Sequence, residues 1–234
     1  NAAEITLQKG GNAFDAVVAA QFSSCVVEPV LTSLGGGGYL LACPDSEQPL
    51  IYDFFVQTPK FKNMQNPDFY PVFADFGDVT QEFHIGLGSA ATPGMVKGAV
   101  AIYEDLCTLP LPELMAPAIQ QAREGVLITP MQAYVLDVVA PIYTATESAR
   151  AAFLGSSGEL PEENELFKRP DLADTLESLA REGEALFYEG EIAAAIESSC
   201  LAGGYLTRQD LSSYEVLRRE PLSMKYRSAQ LLTN

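Results

Sequence analysis

One histidine stands in the whole sequence, His84, and it sets the first limit on chemistry. Ser-His-Asp and Cys-His hydrolysis both need an imidazole base within reach of a nucleophile. His84 lies in Phe83-His84-Ile85-Gly86-Leu87-Gly88, an alternating run that reads as a strand, and a hydrogen-bonded strand histidine accounts for it. Metal binding there would need carboxylate partners that the sequence does not place, so no metal is expected. Cys25, Cys43, Cys107 and Cys200 are far apart, with no C-x-x-C pair and no histidine nearby, which is not zinc-ligand spacing. They read as buried free thiols.

The run Gly35-Gly36-Gly37-Gly38 could cradle phosphate if a helix followed, because helix N-terminal amides attract anions. The strand-like Tyr39-Leu40-Leu41-Ala42-Cys43 follows instead, so the context is wrong for phosphate and no cofactor is expected. Four glycines suit a place where other backbone, or a bound substrate, must come close without interference from a Cβ. Thr92, Thr129 and Thr207 each precede a helical pattern and read as helix caps, not as nucleophiles.

The elements that must carry these residues follow from the hydrophobic pattern. Ala3 to Lys9 reads as the end of a helix stopped by Gly10-Gly11. Asn12 then caps a second helix to about Ser24, apolar on nearly every side and therefore expected under other layers. Asp15 in its first turn suits the helix dipole. Short strands are expected at Gly38 to Ala42 and Leu50 to Phe55, with an irregular excursion from Val56 to Gln81 and a strand from His84 to Ala91. Thr92-Pro93-Gly94 is expected to open a helix with a hydroxyl cap. Further helices are expected from Pro112 to Arg123, with Pro117 kinking it or lying in its first turn, after Thr129, from Asp171 to Arg181, from Gly190 to Ala202, and after Thr207. Glu159 to Glu165 reads as a solvated loop, and a strand from Leu222 to Leu232 closes the chain.

Composition limits the partners. At 234 residues and 47% hydrophobic, the chain can bury a sizeable core. Its 14 Lys and Arg against 31 Asp and Glu give a net charge of −17, which argues against nucleic acid and against an anionic membrane surface. No apolar run approaches the roughly 20 residues of a membrane span. No basic leader stands at Asn1 and the chain opens inside a helix pattern, so the true start of the gene product is expected upstream. The compartment stays open, with the cytoplasm favoured over the periplasm.

Several stretches in order closely resemble the large-subunit portion of the gamma-glutamyltranspeptidase family. They are GGNAFDAVVAA, VVEP, LGGGGYLL, YDFFVQTP, SAATPGMVKG, PELMAPAIQQAREGV and EPLSMKYRSAQLLTN, from about Gln8 to Asn234. The resemblance implies an α+β fold, the four-layer αββα sandwich of N-terminal-nucleophile hydrolases, of which this chain is a helix-rich part. It also implies that residues 1–234 are a partial large subunit within one domain. Its partner would be a small subunit cut from the same precursor. That subunit's new N-terminal threonine would be the nucleophile, with its own amine as base, so no catalytic residue is expected in this chain. This chemistry needs no histidine.

One departure bears on substrate. Family members carry an arginine after the Asp-Phe segment that clamps the substrate α-carboxylate, and here that position is Phe55, followed by Val56-Gln57-Thr58-Pro59. An apolar ring cannot replace a charge-assisted, often bidentate contact. Phe55 and Gln57 are therefore expected to line an acyl pocket for a small-molecule amide that is less anionic than a γ-glutamyl group. Two alternatives stand beside this one. Phe55 could fill core while an arginine from elsewhere supplies the clamp of an ordinary glutathione hydrolase or transferase, or the chain could belong to a non-catalytic relative.

Overall fold

The computed structural model describes residues 1–45, 47–62, 65–155 and 157–234. Helices α1 (Ala2–Gln8) and α2 (Ala13–Val27) open the chain. Strands β1 (Gly38–Ala42) and β2 (Leu50–Phe54) follow, then β3 (Tyr70–Asp75) and β4 (Thr80–Ile85). Next come α3 (Met95–Leu106), α4 (Leu111–Glu124), β5 (Val126–Leu127), α5 (Pro130–Val138), α6 (Ala140–Tyr143) and α7 (Glu147–Phe153). The order ends with β6 (Leu166–Phe167), α8 (Pro170–Glu182), α9 (Ala185–Tyr188), α10 (Glu191–Cys200), α11 (Arg208–Ser212), β7 (Leu217–Arg219), β8 (Leu222–Tyr226) and β9 (Ala229–Thr233). The expected mixture of helices and strands is present.

The all-round apolar α2 is central, packed by α1, α3 and α4, and buries Val18, Ala19, Phe22 and Val26. Its start is fixed by polar chemistry. The Asn12 side chain accepts from the Phe14 and Asp15 amides at 2.8 and 2.9 Å, and Asp15 accepts from the Asn12 amide at 2.7 Å, a capping box. Asp15 is fully buried and also accepts from the Thr108 amide and hydroxyl and the Leu109 amide, at 2.7–3.0 Å. One carboxylate thus ties α2 to the loop between α3 and α4. Burial pushes its pKa up, but the hydrogen bonds from Leu109, Thr108 and Asn12 outweigh that and leave it below the ordinary value.

Beside this helix layer lies a three-stranded antiparallel sheet in the order β1-β2-β7. Alternation along β2 sends Tyr52 and Phe54 toward the helices and Ile51 and Asp53 to the opposite face. The register pairs Leu40 with Tyr52 and Tyr39 with Asp53, so Leu40 faces the helices and Tyr39 and Leu41 face away. The Tyr52 hydroxyl donates to Asp105 on α3 at 2.9 Å, and Arg218 of β7 reaches the same carboxylate at 2.6 Å. Burial, then Asp105, pushes the Tyr52 hydroxyl up to about 12. A second, smaller core gathers Ile128, Leu136 and Phe167, with Tyr143 and Phe153 against it.

Several expectations hold in detail. Thr129 and Thr207 each cap their helix through a capping box, with Gln132 and Asp210 as the reciprocal partners. The helix expected from Pro112 to Arg123 is present over 111–124, but Pro117 is not in its first turn: it lies inside the helix and is buried.

Others are corrected. The excursion from Val56 to Gln81 contains β3 and the start of β4, which pair as a hairpin. Its turn is made by the Asp75 side chain accepting from the Gly77 amide at 2.8 Å, with Gly77 at φ +89°. Pro71 does not prevent pairing because β3 belongs to a two-stranded sheet, where a missing donor can face outward. The strand at His84 ends at Ile85, since Gly86 takes φ +101° and a short 3-10 turn follows over Leu87–Ser89. The closing strand is likewise a hairpin, β8 with β9, turned at Arg227 with φ +55°. Of the four free cysteines only Cys25 and Cys200 are buried, while Cys107 is half-buried and Cys43 exposed. Thr92 is no cap: it is buried, its backbone pairs with Gln57, and α3 begins three residues later with Gly94 as its cap residue.

Candidate functional site

The segment from Asp53 to Lys60 leaves the end of β2 and is held along its length by backbone bonds. The Phe55 amide donates to the Asp53 carboxylate at 3.1 Å, and the Phe55 carbonyl accepts from the Tyr214 hydroxyl at 2.9 Å. Gln57 exchanges both backbone bonds with Thr92, at 3.1 and 2.7 Å. The Lys60 amide donates to Asp210 at 2.8 Å and its ammonium to the Ser213 hydroxyl at 2.6 Å. With the main chain so occupied, the Phe55 and Gln57 side chains are left exposed.

The glycine turn abuts this segment. A Cβ on Gly37 would lie 2.6 Å from the Phe54 carbonyl oxygen and 2.7 Å from the Val56 amide nitrogen, so this position excludes any side chain. Gly36 faces the other way, and its carbonyl accepts from the Gly94 and Met95 amides, both at 2.9 Å. The turn therefore satisfies the donors at the start of α3 that Thr92 was expected to serve. Thr92 is unavailable because its backbone is engaged by Gln57, while the Pro93 carbonyl accepts from the Tyr188 hydroxyl at 2.9 Å. The close approach expected of the glycines is found, and the neighbour is the candidate segment itself.

Phe55 does not fill core. It is 52% exposed and stacks on Tyr39, 44% exposed, with ring centroids 5.5 Å apart and planes 16° apart. Tyr52 and Phe54, on the opposite face of the sheet, are 1% and 4% exposed. An open depression of about 440 Å³ between α2 and the start of β1 is lined by Tyr39, Leu40, Gly37, Gly38 and Phe54. A separate cavity of about 650 Å³, bordered by Arg150 and the acidic loop Glu159 to Glu163, lies away from this face.

Arg219 on β7 was not singled out by sequence reasoning. Its register opposite Ile51 puts it on the outward face, where its guanidinium pairs with Asp53, the carboxylate that holds the Phe55 amide. Arg218, its neighbour, points to the helix side. The Arg218-Arg219 doublet before Glu220-Pro221 was the only available signal, and nothing local in it names Asp53 as partner. His84 is in a strand as expected, stacked on Phe69 at 4.7 Å with Nε2 3.4 Å from Glu82, and it takes no part in this site.

The chain is α+β, with helices against one face of an antiparallel sheet, and the solved structures it superposes on have the N-terminal-nucleophile hydrolase fold. The chain belongs to the gamma-glutamyltranspeptidase family, which it matches over residues 1–234. It is 33% identical to a glutathione hydrolase proenzyme of Pseudomonas aeruginosa, covering 97% of this chain and 39% of that protein. It is 30% identical to an acylase ACY 1 proenzyme of Pseudomonas sp. strain V22, covering 97% of this chain and 41% of that protein. The crystal structure of Helicobacter pylori gamma-glutamyltranspeptidase superposes with a TM-score of 0.86 at 30% identity, over 99% of this chain and 66% of that chain. The chain thus spans about two fifths of the curated relatives it matches.

Proposed function

We propose that this chain is the large-subunit part of a self-processing amidohydrolase that acts on an amide whose acyl group is less anionic than γ-glutamate. The nucleophile is the N-terminal threonine of a small subunit cut from the same precursor, and its own amine takes the hydroxyl proton. The threonine oxygen adds to the amide carbonyl, the C–N bond breaks, and the proton passes to the leaving amine. Water then releases the acyl group. The outward face of the β1-β2-β7 sheet, with Tyr39, Leu41 and Leu217 exposed, supports a partner that covers apolar surface beside the site.

The observation that carries the altered specificity is Phe55 itself. Where the resemblance implies a carboxylate clamp, a rigidly held, half-exposed phenyl ring stands, with Gln57 two residues on. Losing such a charge pair costs on the order of 2–5 kcal/mol of binding. The test is the full-length processed protein on γ-glutamyl-p-nitroanilide and glutaryl-p-nitroanilide. Turnover of the glutaryl probe is expected to exceed that of the γ-glutamyl probe, and efficient α-carboxylate-dependent turnover of the latter defeats the proposal.

A second reading has one observation in its favour. Arg219 brings a guanidinium to the same face, joined through Asp53 to the Phe55 backbone, so an ordinary glutathione hydrolase with a relocated clamp is the alternative. Phe55→Arg separates the two. If the clamp is absent, the new arginine raises kcat/KM for γ-glutamyl-p-nitroanilide by about 30-fold or more, the lower end of a restored charge pair. If Arg219 already serves, no gain appears.

A further inference from the structure

The stretch from Asp210 to Tyr214, in α11 and just beyond it, holds the segment after β2 at two places. Asp210 accepts from the Lys60 amide at 2.8 Å and Ser213 from the Lys60 ammonium at 2.6 Å. Tyr214 donates its hydroxyl to the Phe55 carbonyl at 2.9 Å, and the Gln57–Thr92 bridge lies between these anchors. Phe55 is therefore gripped on both sides of its Cα. Its amide is held by Asp53, two residues back, and its carbonyl by Tyr214, 159 residues on. The first bond is local and would travel with the segment if the segment moved. The second ties Phe55 to a distant part of the fold, and it is the one that fixes position.

Tyr214 is itself immobile. It is buried, and its ring stacks on Tyr188 with centroids 5.9 Å apart and planes 17° apart. Tyr188 donates to the Pro93 carbonyl at 2.9 Å and accepts from the Lys97 amide at 3.2 Å. The stacked pair thus holds one carbonyl on each of the two chains that the Gln57–Thr92 bridge joins. Gly94 closes the remaining space, since a Cβ there would overlap the Tyr214 hydroxyl. Burial first, then Asp53 and Tyr39, push that hydroxyl above its ordinary value, so it stays protonated as a donor.

We infer that Tyr214 is a positioning residue of the acyl subsite, whose hydroxyl fixes the Phe55 carbonyl and so sets where the Phe55 side chain stands. It touches no substrate and acts through the main chain of Phe55. This rests on the acyl-pocket role proposed for Phe55, and it adds a residue far away in sequence. Removing the hydroxyl alone leaves the ring and its stack on Tyr188 in place, but releases the Phe55 carbonyl between β2 and the Thr92 bridge. Catalysis depends on how closely the bound substrate is aligned, so a looser Phe55 is felt as lost discrimination between acyl groups.

The experiment uses the full-length processed protein with glutaryl- and γ-glutamyl-p-nitroanilide, comparing wild type, Tyr214→Phe, Phe55→Leu and the double variant. Tyr214→Phe is expected to lower kcat/KM for the probe that the wild type prefers, and with it the ratio between the two probes, by about 2- to 10-fold, the size of one hydrogen bond. In the Phe55→Leu background the same substitution is expected to move the ratio less, because the side chain it positions is gone. Equal changes in both backgrounds overturn the inference, since a general loosening of the fold would act whatever stands at residue 55. Failure of Tyr214→Phe to fold also overturns it, by assigning the hydroxyl to stability alone. A ratio that moves for Phe55→Leu but not for Tyr214→Phe removes Tyr214 and leaves the acyl-pocket reading standing. A ratio unmoved by Phe55→Leu removes both, and so does a wild type that turns over neither probe.

Discussion

The two faces of the β1-β2-β7 sheet are made by adjacent residues of the same strands and have opposite fates. Tyr52 and Phe54 point into the helix layer, and their arginine neighbour Arg218 anchors Asp105 of α3. Tyr39 and Phe55 point away, and their arginine neighbour Arg219 anchors Asp53 of the sheet itself. Each face thus has aromatic rings and one arginine–carboxylate pair. On the inner face they join two layers, and on the outer face they stay within one. A strand's two-residue alternation is enough to put core-packing residues and residues exposed on the outer face side by side in sequence.

The comparison breaks most sharply at the boundary between the faces. Gly94 packs so closely on the Phe54 carbonyl and the Tyr214 hydroxyl that a Cβ would overlap both. Gly94→Ala is expected to destabilise the protein by about 5 kcal/mol, because the new Cβ meets two groups at once and the backbone one cannot yield. A shift in thermal midpoint measures it, and an unchanged midpoint would show the contact to be loose. Next comes the inner face against the outer. Tyr52→Ala is expected to cost about 3–5 kcal/mol through cavity and lost packing. Phe55→Ala is expected to cost less than about 1 kcal/mol while changing acyl preference. Similar costs in denaturant melts would place Phe55 in core and remove the distinction.

The smallest effect is a pH dependence of the helix layer. Asp15 has its pKa lowered on folding, so its contribution is present above the unfolded carboxylate value of about 3.9 and is lost as pH falls through the lower folded value. Stability of the wild type is therefore expected to fall below about pH 4 more steeply than that of Asp15→Asn. Parallel curves would mean that the buried carboxylate gains nothing from its four donor contacts with Asn12, Thr108 and Leu109.

How legible each part was depends on how local its cause is. Asn12, Thr129 and Thr207 serve amides two or three residues on, and all three were readable as caps. The apolar α2 was readable as buried because no side of it could face water. Thr92 had the same sequence appearance as Thr129, but a distant partner, Gln57, claimed its backbone first. The β3–β4 hairpin was hidden because its strand exposes Tyr70 and Phe73 on a two-stranded ribbon, so apolar residues do not mark a buried face. The β8–β9 turn uses Arg227 where a glycine or asparagine would have signalled it. At the site, Phe55 and Gln57 were visible as a departure from a resembled pattern. Arg219 and Tyr39 were not, since strand register brings them there and register cannot be counted from one sequence.

The carbonyl of Gly36 has a consequence for how the chain assembles. Helix α3 has no capping side chain of its own and borrows an acceptor from a turn far earlier in the chain. As an isolated segment it would fray at its first turn, so its N-terminal end consolidates only once the turn has docked. The Gly94 and Met95 amides should accordingly be late to gain protection from hydrogen exchange during refolding, marking the moment when the sheet seats on the helices.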